Sequence, residues 1–121
     1  MIGYVTLGTR DLARASRFYE ALLAEIGARV VMRNERMTMF GSGRGQPMLA
    51  VCTPFDGKQA GAGNGAMVAL TAGSQDAVRK LHAKALELGA TDEGAPGPRG
   101  AGFFGYFRDP DGNKLAAYFM G

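Results

Sequence analysis

The stretch LAEIGA at residues 23–28 returns later in the chain as ALELGA at residues 85–90. Farther on, MLAV at residues 48–51 has its counterpart in KLAA at residues 114–117, so the two halves are offset by 62 to 66 residues. A duplicated unit tends to pair about a pseudo-two-fold axis and to leave a cleft between its copies, and small-molecule sites favour such internal interfaces. The repeat therefore predicts where a ligand would bind before it predicts which ligand.

Length and composition describe one ordinary globular domain. The chain has 121 residues, of which 46% are hydrophobic and 21% are charged, which is enough for a core. No apolar run approaches the roughly 20 residues that a membrane span needs, and no signal peptide is predicted. A single cysteine, Cys52, excludes an internal disulfide and a cysteine metal cluster. We therefore expect a cytoplasmic protein that has no membrane partner.

The charge is mildly basic, with a net value of +3 and a pI of about 9.3. Arg10, Arg14 and Arg17 lie near one another on a predicted helix, but Glu20 and Glu25 interrupt the patch. The sequence also lacks the interleaved aromatic and basic residues of single-strand-binding surfaces. We expect no nucleic-acid partner, and we expect neutral or anionic ligands rather than cationic ones.

The first half of the chain predicts a strand over residues 2–8 and then a helix. Asp11 is a suitable N-cap for the helix, apolar residues follow at helical spacing, and Gly27 ends it. Three further strands are predicted, at residues 29–33, 37–40 and 48–53.

The second half repeats this order. A strand is predicted over residues 66–72, and a helix follows the N-cap Ser74 and ends at Gly89. A weakly marked strand near Thr91 precedes a Gly- and Pro-rich loop at residues 94–102. The last two strands, at residues 103–108 and 115–119, are joined by the turn DPDGN at residues 109–113.

Each half therefore reads strand–helix–strand–strand–strand. The predicted fold class is α+β, with two tandem βαβββ modules that pair into a cupped, mostly antiparallel sheet with the helices outside. We place module one at about residues 1–54, a Gly-rich linker at about 55–65, and module two at about 66–121 of a single domain.

The ordered motifs YVTLG (4–8), DL (11–12) and DPDGNK (109–114), set in a duplicated unit, resemble the vicinal oxygen chelate superfamily. This group includes glyoxalase I, extradiol dioxygenases, fosfomycin-resistance enzymes and bleomycin-resistance proteins. The segments FDG (55–57) and GNG (63–65) look like the linker of its small bacterial members. The resemblance covers nearly the whole chain and implies a homodimer.

The resemblance also implies a metal site in the cup, held by His, Gln or Glu side chains. The corresponding positions in this chain are Tyr4, Ala50, Met67 and Ala116. None of these is a usual ligand for a divalent ion. The only imidazole, His82, is expected to pack on the sheet, and all eleven carboxylates fall in predicted helices, turns or loops. Because a hard cation needs converging anionic or imidazole ligands, we predict no metal and no other cofactor.

The candidate ligand residues line the expected cup. Strand alternation puts Phe104 and Tyr106 on one face and Phe103 on the other. Arg99, in the preceding loop, either reaches an anionic ligand or is a solvated loop arginine. The predicted set is Tyr4, Ala50, Met67, Phe104, Tyr106, Ala116 and Arg99.

Two features of the first half bear less directly on the ligand. Four methionines, at positions 32, 37, 39 and 48, either line an adaptable pocket or belong to the core or a dimer interface. Cys52 is expected to be a buried structural thiol rather than a nucleophile.

The favoured function is a glyoxalase/bleomycin-resistance-like protein without metal ligands that binds a small neutral or anionic, largely apolar molecule in its central cup. One alternative is a metal-free enzyme that uses Tyr4 or Tyr106 as an acid–base or oxyanion-stabilising hydroxyl. Another is a divergent metal-dependent lyase or dioxygenase, which requires a carboxylate such as Glu35 to point inward. A third is an interaction module whose cup is filled by its own side chains. The residues leave open whether the chain is an enzyme; by resemblance alone, its reaction would be that of a lyase, isomerase or dioxygenase.

Overall fold

The computed structural model describes residues 1–121 and divides into two compact units, Met1–Gly61 and Ala62–Gly121. The first unit contains β1 (Tyr4–Gly8), α1 (Leu12–Ala24), β2 (Arg29–Arg33), β3 (Met37–Gly41) and β4 (Met48–Cys52). The second contains β5 (Val68–Thr71), α2 (Gln75–Glu87), β6 (Thr91–Arg99), β7 (Gly102–Arg108) and β8 (Lys114–Met120). The predicted α+β class with two tandem βαβββ modules is confirmed.

Each unit builds its own four-stranded sheet. The strand orders are β1-β4-β3-β2 and β5-β8-β7-β6. In both sheets the first strand of the unit runs parallel to the last one, and the other pairs are antiparallel. Helix α1 packs on β2, β3 and β4, and α2 packs on β6, β7 and β8. One face of each sheet is thus covered by the helix of its own unit.

Side-chain caps begin both helices where the sequence predicts. The Asp11 carboxylate accepts a hydrogen bond from the backbone N–H of Arg14 at 3.1 Å. The Ser74 hydroxyl accepts one from the N–H of Ala77 at 3.0 Å. Each cap satisfies a donor that has no partner within the helix.

Both helices also end in the same way. Gly27 adopts a φ of +82°, a left-handed conformation that glycine adopts without strain, and the N–H of Ala28 bonds to the carbonyl of Leu23 at 3.0 Å. Helix α2 repeats this ending at Gly89, where φ is +107°. The sequence repeat therefore corresponds to a repeat of backbone geometry.

The two cores lie between each helix and its sheet. In the first unit, the Tyr19 ring packs between those of Phe18 and Phe40, at centroid distances of 4.9 and 6.3 Å. In the second unit, the fully or nearly fully buried side chains are Val78, Leu81, Ala85, Phe103, Phe107 and Leu115. Neither helix is long and apolar enough to cross a membrane.

The prediction for residues 91–102 is wrong. In place of a short strand and a long loop, β6 is one nine-residue strand paired with β7. Its register shifts between Asp92 and Gly94 and again between Gly94 and Gly97. The strand lies at the edge of its sheet, where prolines and irregular pairing are tolerated. The expectation that no carboxylate lies within a strand is also wrong, because β6 contains Asp92 and Glu93.

Candidate functional site

Tyr4 and Ala50 share the face of the first sheet that points away from α1. Thr38 Oγ1 lies 2.8 Å from Ser16 Oγ of α1, so Thr38 faces the helix and its neighbour Met39 faces the other way. Met39 pairs with Ala50, and Tyr4 lies two residues before the β1 residue that pairs with Ala50. Ala50 is buried, whereas Tyr4 is 54% exposed.

The predicted methionine cluster lies on this same side of the first sheet. Met37, Met39 and Met48 are half-buried and Met32 is exposed. Met32 pairs with Met39 across β2 and β3, and Met48 pairs with Tyr4 across β1 and β4. These side chains, which we call the methionine face, are therefore not part of the core beneath α1.

The second sheet presents aromatic rings on its face away from α2. A Cβ placed on Gly105 would lie 3.2 Å from Cδ2 of His82 in α2, so position 105 faces the helix. Phe104 and Tyr106 consequently face the opposite side, as predicted. Their rings are nearly parallel, with an interplanar angle of 5° and centroids 6.1 Å apart.

Tyr118 extends this row of rings. It pairs with Phe104 across β7 and β8, with ring centroids 5.6 Å apart and an interplanar angle of 15°. Its hydroxyl oxygen accepts a hydrogen bond from Thr71 Oγ1 at 3.1 Å. The spacings match offset stacking of aromatic side chains. We call Phe104, Tyr106 and Tyr118 the aromatic face.

Two cations stand at the Tyr106 end of the aromatic face. The Arg99 guanidinium carbon lies 5.1 Å from the Tyr106 ring centroid, and Lys114 Nζ lies 5.4 Å from it. Both distances are within the range of cation–π attraction. Neither cation takes part in an ion pair. The face therefore combines an apolar surface with uncompensated positive charge.

The expectation that Arg99 belongs to a loop is wrong. Arg99 is the last residue of β6, and its Nη2 donates to the carbonyl of Ala95 at 3.3 Å. A Cβ on Gly94 would lie 3.0 Å from Arg99 Nη2 and 3.0 Å from Tyr106 Cδ2. The missing side chain at Gly94 therefore makes room for the guanidinium over the ring.

The remaining predicted residues divide as follows. Ala116 is buried and pairs directly with Tyr106, so it forms part of the surface beside the rings. Met67 immediately precedes β5 and is 45% exposed. The structure thus groups Arg99, Phe104, Tyr106 and Ala116 in the second unit and leaves Met67 at the margin of its sheet.

His82 fixes the backbone beneath the aromatic face from the helix side. It is 5% exposed, and its Nε2 lies 3.1 Å from both Asp92 Oδ1 and the Tyr106 carbonyl. Because both partners accept hydrogen bonds, Nε2 carries the hydrogen. The expectation that His82 packs on the sheet is confirmed.

Asp92 is held by two donors. A hydrogen bond from the Gly94 N–H, at 2.9 Å, is the main cause that lowers the pKa of Asp92. Desolvation opposes it, and the hydrogen bond and charge interaction with His82 lower the pKa further. Glu93 pairs with Arg108 at 2.9 Å. Both carboxylates of β6 therefore have structural partners.

The donor set does not fit a divalent metal ion. No group of three or more His, Cys, Asp or Glu side chains is placed to hold one. The four positions that the family resemblance assigns to ligands carry one phenol, one thioether and two methyl groups, which are poor ligands for such an ion.

Cys52 ends β4, where it pairs with Gly8 and Met37. Its side chain is half-buried rather than buried as predicted. No ionisable partner contacts the thiol, so nothing in its surroundings activates it as a nucleophile.

The architecture and the sequence are similar to those of known proteins. The family model of the Glyoxalase/Bleomycin resistance protein/Dioxygenase superfamily matches residues 1–117. The chain belongs to this superfamily. The resemblance carried by its sequence motifs is thereby confirmed. No curated protein matches the sequence.

Solved structures of superfamily members agree with this assignment. A glyoxalase/bleomycin resistance protein from Albidiferax ferrireducens T118 is 32% identical with a TM-score of 0.93, over 100% of this chain and 99% of that one. A glyoxalase-related enzyme from Fulvimarina pelagi is 23% identical with a TM-score of 0.79, and the match covers 98% of this chain and 87% of that one. Lactoylglutathione lyase from Agrobacterium tumefaciens is 21% identical with a TM-score of 0.71, over 98% and 92%. The last two likenesses show the fold alone.

Proposed function

We propose that this superfamily member binds a small, planar, largely apolar anion without the help of a divalent ion, and that the aromatic face supplies its main contact surface. The observation that carries the proposal is the row of near-parallel rings with Arg99 and Lys114 at one end. Flat apolar ligands stack favourably on such rings. The positions that correspond to the family's metal ligands carry neither imidazole nor carboxylate, which supports binding without a metal.

The charge at the Tyr106 end sets the preferred polarity of the ligand. Arg99 and Lys114 have no carboxylate partner, so an anionic group bound there gains attraction without displacing an existing ion pair. A cationic ligand would meet repulsion at the same place. The apolar body of the ligand then lies along Phe104 and Tyr118.

The test compares two ligands that share the apolar body and differ in charge. We expect 2-naphthoate to bind more tightly than neutral 2-naphthalenemethanol in isothermal titration calorimetry. Lys114→Gln is expected to weaken 2-naphthoate two- to fivefold, as a half-exposed ion pair contributes about 0.5–1 kcal/mol, and to leave the alcohol unchanged. Phe104→Leu is expected to weaken both ligands because it removes a stacking surface.

Lys80→Gln is the matched control, because Lys80 is an exposed lysine of α2 whose ammonium lies 3.8 Å from Asp76. It is expected to bind both ligands as the wild type does. Equal affinity for the acid and the alcohol, or no loss in Lys114→Gln and Phe104→Leu, would overturn the proposal.

Several expectations from the sequence stay predictions. They are the central cup, the homodimer, cytoplasmic residence, the absence of a nucleic-acid or membrane partner, and a metal-free reaction at Tyr4 or Tyr106. Of the two hydroxyls, that of Tyr106 belongs to the face with the cations. Turnover that is lost in Tyr106→Phe, with ligand affinity retained, would identify an enzyme rather than a binding protein.

A further inference from the structure

A pocket lies within the first unit and shares no residue with the aromatic face. Its volume is about 580 Å³, which is within the range of small-molecule sites. It is formed by the loop after β1, the turn between β2 and β3, and the chain that follows β4. The sequence predicted the last of these segments only as a connection between modules. We call this cavity the Arg36 pocket.

Arg36 is held at the pocket by three contacts. Its Nη1 donates to the carbonyl of Thr53 at 2.8 Å, and its own carbonyl accepts from the Thr53 N–H at 3.0 Å. The guanidinium carbon lies 5.5 Å from the centroid of the Phe55 ring. The turn between β2 and β3 is thereby fastened to the segment after β4, and the charged group has a defined position.

The opposite wall is also folded back onto the unit. The N–H of Gly57 bonds to the Pro54 carbonyl at 3.1 Å, and φ at Gly57 is +73°, so the chain reverses there. The reversed segment then approaches β1, since a Cβ on Gly8 would lie 3.1 Å from the Cβ of Ala60. The pocket is therefore bounded by ordered chain on both sides.

The lining of the pocket is cationic and contains no carboxylate. Arg10, Arg36 and Lys58 all line it. Arg36 and Lys58 take part in no ion pair. A guanidinium has five N–H donors, and it binds a phosphate or carboxylate through two of them at once. Two cations without carboxylate partners match a ligand that carries two negative charges.

Phe55 adds an apolar surface beside these charges. It is 93% exposed, and the Arg36 guanidinium is a cation–π neighbour of its ring. A ring in this position can stack on a flat substituent of a bound anion. We propose that the Arg36 pocket binds a small organic dianion, namely a phosphate monoester with a flat apolar group. The phosphate lies between Arg36 and Lys58 and the apolar group lies on Phe55.

The test uses phenyl phosphate, inorganic phosphate and phenol as probes, with affinities measured by two-dimensional NMR titration. We expect phenyl phosphate to bind most tightly and to shift the backbone resonances of residues 53–60. Arg36→Gln and Lys58→Gln are each expected to weaken it about tenfold. Phe55→Ala is expected to weaken phenyl phosphate several-fold and to leave inorganic phosphate unchanged, which separates the apolar contact from the ionic one.

Arg79→Gln is the matched control, because its guanidinium likewise lies over a phenylalanine ring, that of Phe103, at 4.9 Å. It is expected to retain wild-type affinity for phenyl phosphate. The affinity is read from the resonances of residues 53–60, a segment that lines only the Arg36 pocket, so the result is independent of binding at the aromatic face. Unchanged affinity in both Arg36→Gln and Lys58→Gln, or phenol binding as tightly as phenyl phosphate, would overturn the proposal.

Discussion

Gly105 shows how one absent side chain sets the packing beneath the aromatic face. An added Cβ would lie 3.2 Å from both His82 Cδ2 and Pro96 Cγ. The imidazole has little room to move, because its Nε2 is bound to Asp92 and to the Tyr106 carbonyl. We therefore expect Gly105→Ala to lower the free energy of unfolding by about 1–3 kcal/mol through overpacking, as measured by urea denaturation.

Gly73→Ala provides the comparison for this experiment. A Cβ added to Gly73 would meet no atom within 4 Å, and the φ of Gly73 is not positive. Alanine there is expected to leave the free energy of unfolding unchanged or to raise it by about 0.4–1 kcal/mol, since it restricts the unfolded chain. Equal destabilisation by the two substitutions would contradict the role assigned to Gly105.

Asp92 makes stability depend on pH at the acidic end. Because its hydrogen bond from Gly94 and its contact with His82 lower its pKa below the ordinary 3.8, the carboxylate stabilises the fold above that value. The contribution is lost as the pH falls through the lowered pKa. We expect Asp92→Asn to have a lower free energy of unfolding than the wild type at about pH 7, measured by urea denaturation. The difference between the two proteins should become smaller toward about pH 2.5. A gap that is constant or widens on acidification would contradict this account.

The residues of the site were predictable where the alternation of side chains along a strand decides which face of the sheet they lie on. Alternation along one strand placed Phe104 and Tyr106 together. Tyr118 was missed although the predicted five-residue turn already fixes the register that pairs it with Phe104. The position of Arg99 could not be predicted, because it depends on the space that Gly94 leaves earlier in the same irregular strand.

At the scale of elements, β6 was hidden by its own composition. The strand contains Gly94, Pro96, Gly97 and Pro98, residues that are depleted in strands because they lack either a side chain or an N–H donor. Pairing with β7 outweighs the low strand propensity of these residues, because β7 runs along the whole length of β6. The other side of β6 is the edge of its sheet, so residues that lack an N–H donor are tolerated there. The helices, in contrast, were predicted well because their caps are local interactions.

The missing side chain at Gly94 leaves the space in which the Arg99 guanidinium lies over the aromatic face. We expect Gly94→Ala to displace the Arg99 guanidinium from Tyr106, since the new methyl group would lie 3.0 Å from both. The upfield ring-current shift of the Arg99 side-chain protons should then shrink in NMR spectra. Affinity for 2-naphthoate should fall several-fold, because the displaced guanidinium no longer attracts the carboxylate of the bound ligand.

Gly97→Ala is the control within the same strand. A Cβ at Gly97 would lie no nearer than 3.9 Å to Arg99, an ordinary contact. This variant is expected to retain both the ring-current shift and the affinity. If Gly94→Ala behaves like Gly97→Ala, the arginine does not depend on the gap in β6.

At the scale of the whole molecule, duplication preserved the backbone and changed the chemistry. The two units share strand order, helix caps and helix endings. Their sheet faces differ, because the first presents thioethers and the second presents stacked rings with two cations. Methionine side chains adapt to varied shapes, whereas the stacked rings favour flat ligands. Sequence repetition therefore predicts the architecture, and only the divergent positions carry information on the ligand.

The same divergence leads to a prediction for the purified protein in the presence of metals. The positions that the family resemblance assigns to metal ligands carry Tyr4, Ala50, Met67 and Ala116, so we expect no stabilisation by Zn(II), Ni(II) or Fe(II) in thermal unfolding. A site with a dissociation constant of about 1 µM, supplied with about 100 µM metal, would stabilise the folded state by about 2.7 kcal/mol. Such an effect would raise the melting temperature by several degrees. A rise of this size that EDTA reverses would show that other side chains supply the ligands, and it would replace metal-free binding with metal-dependent chemistry.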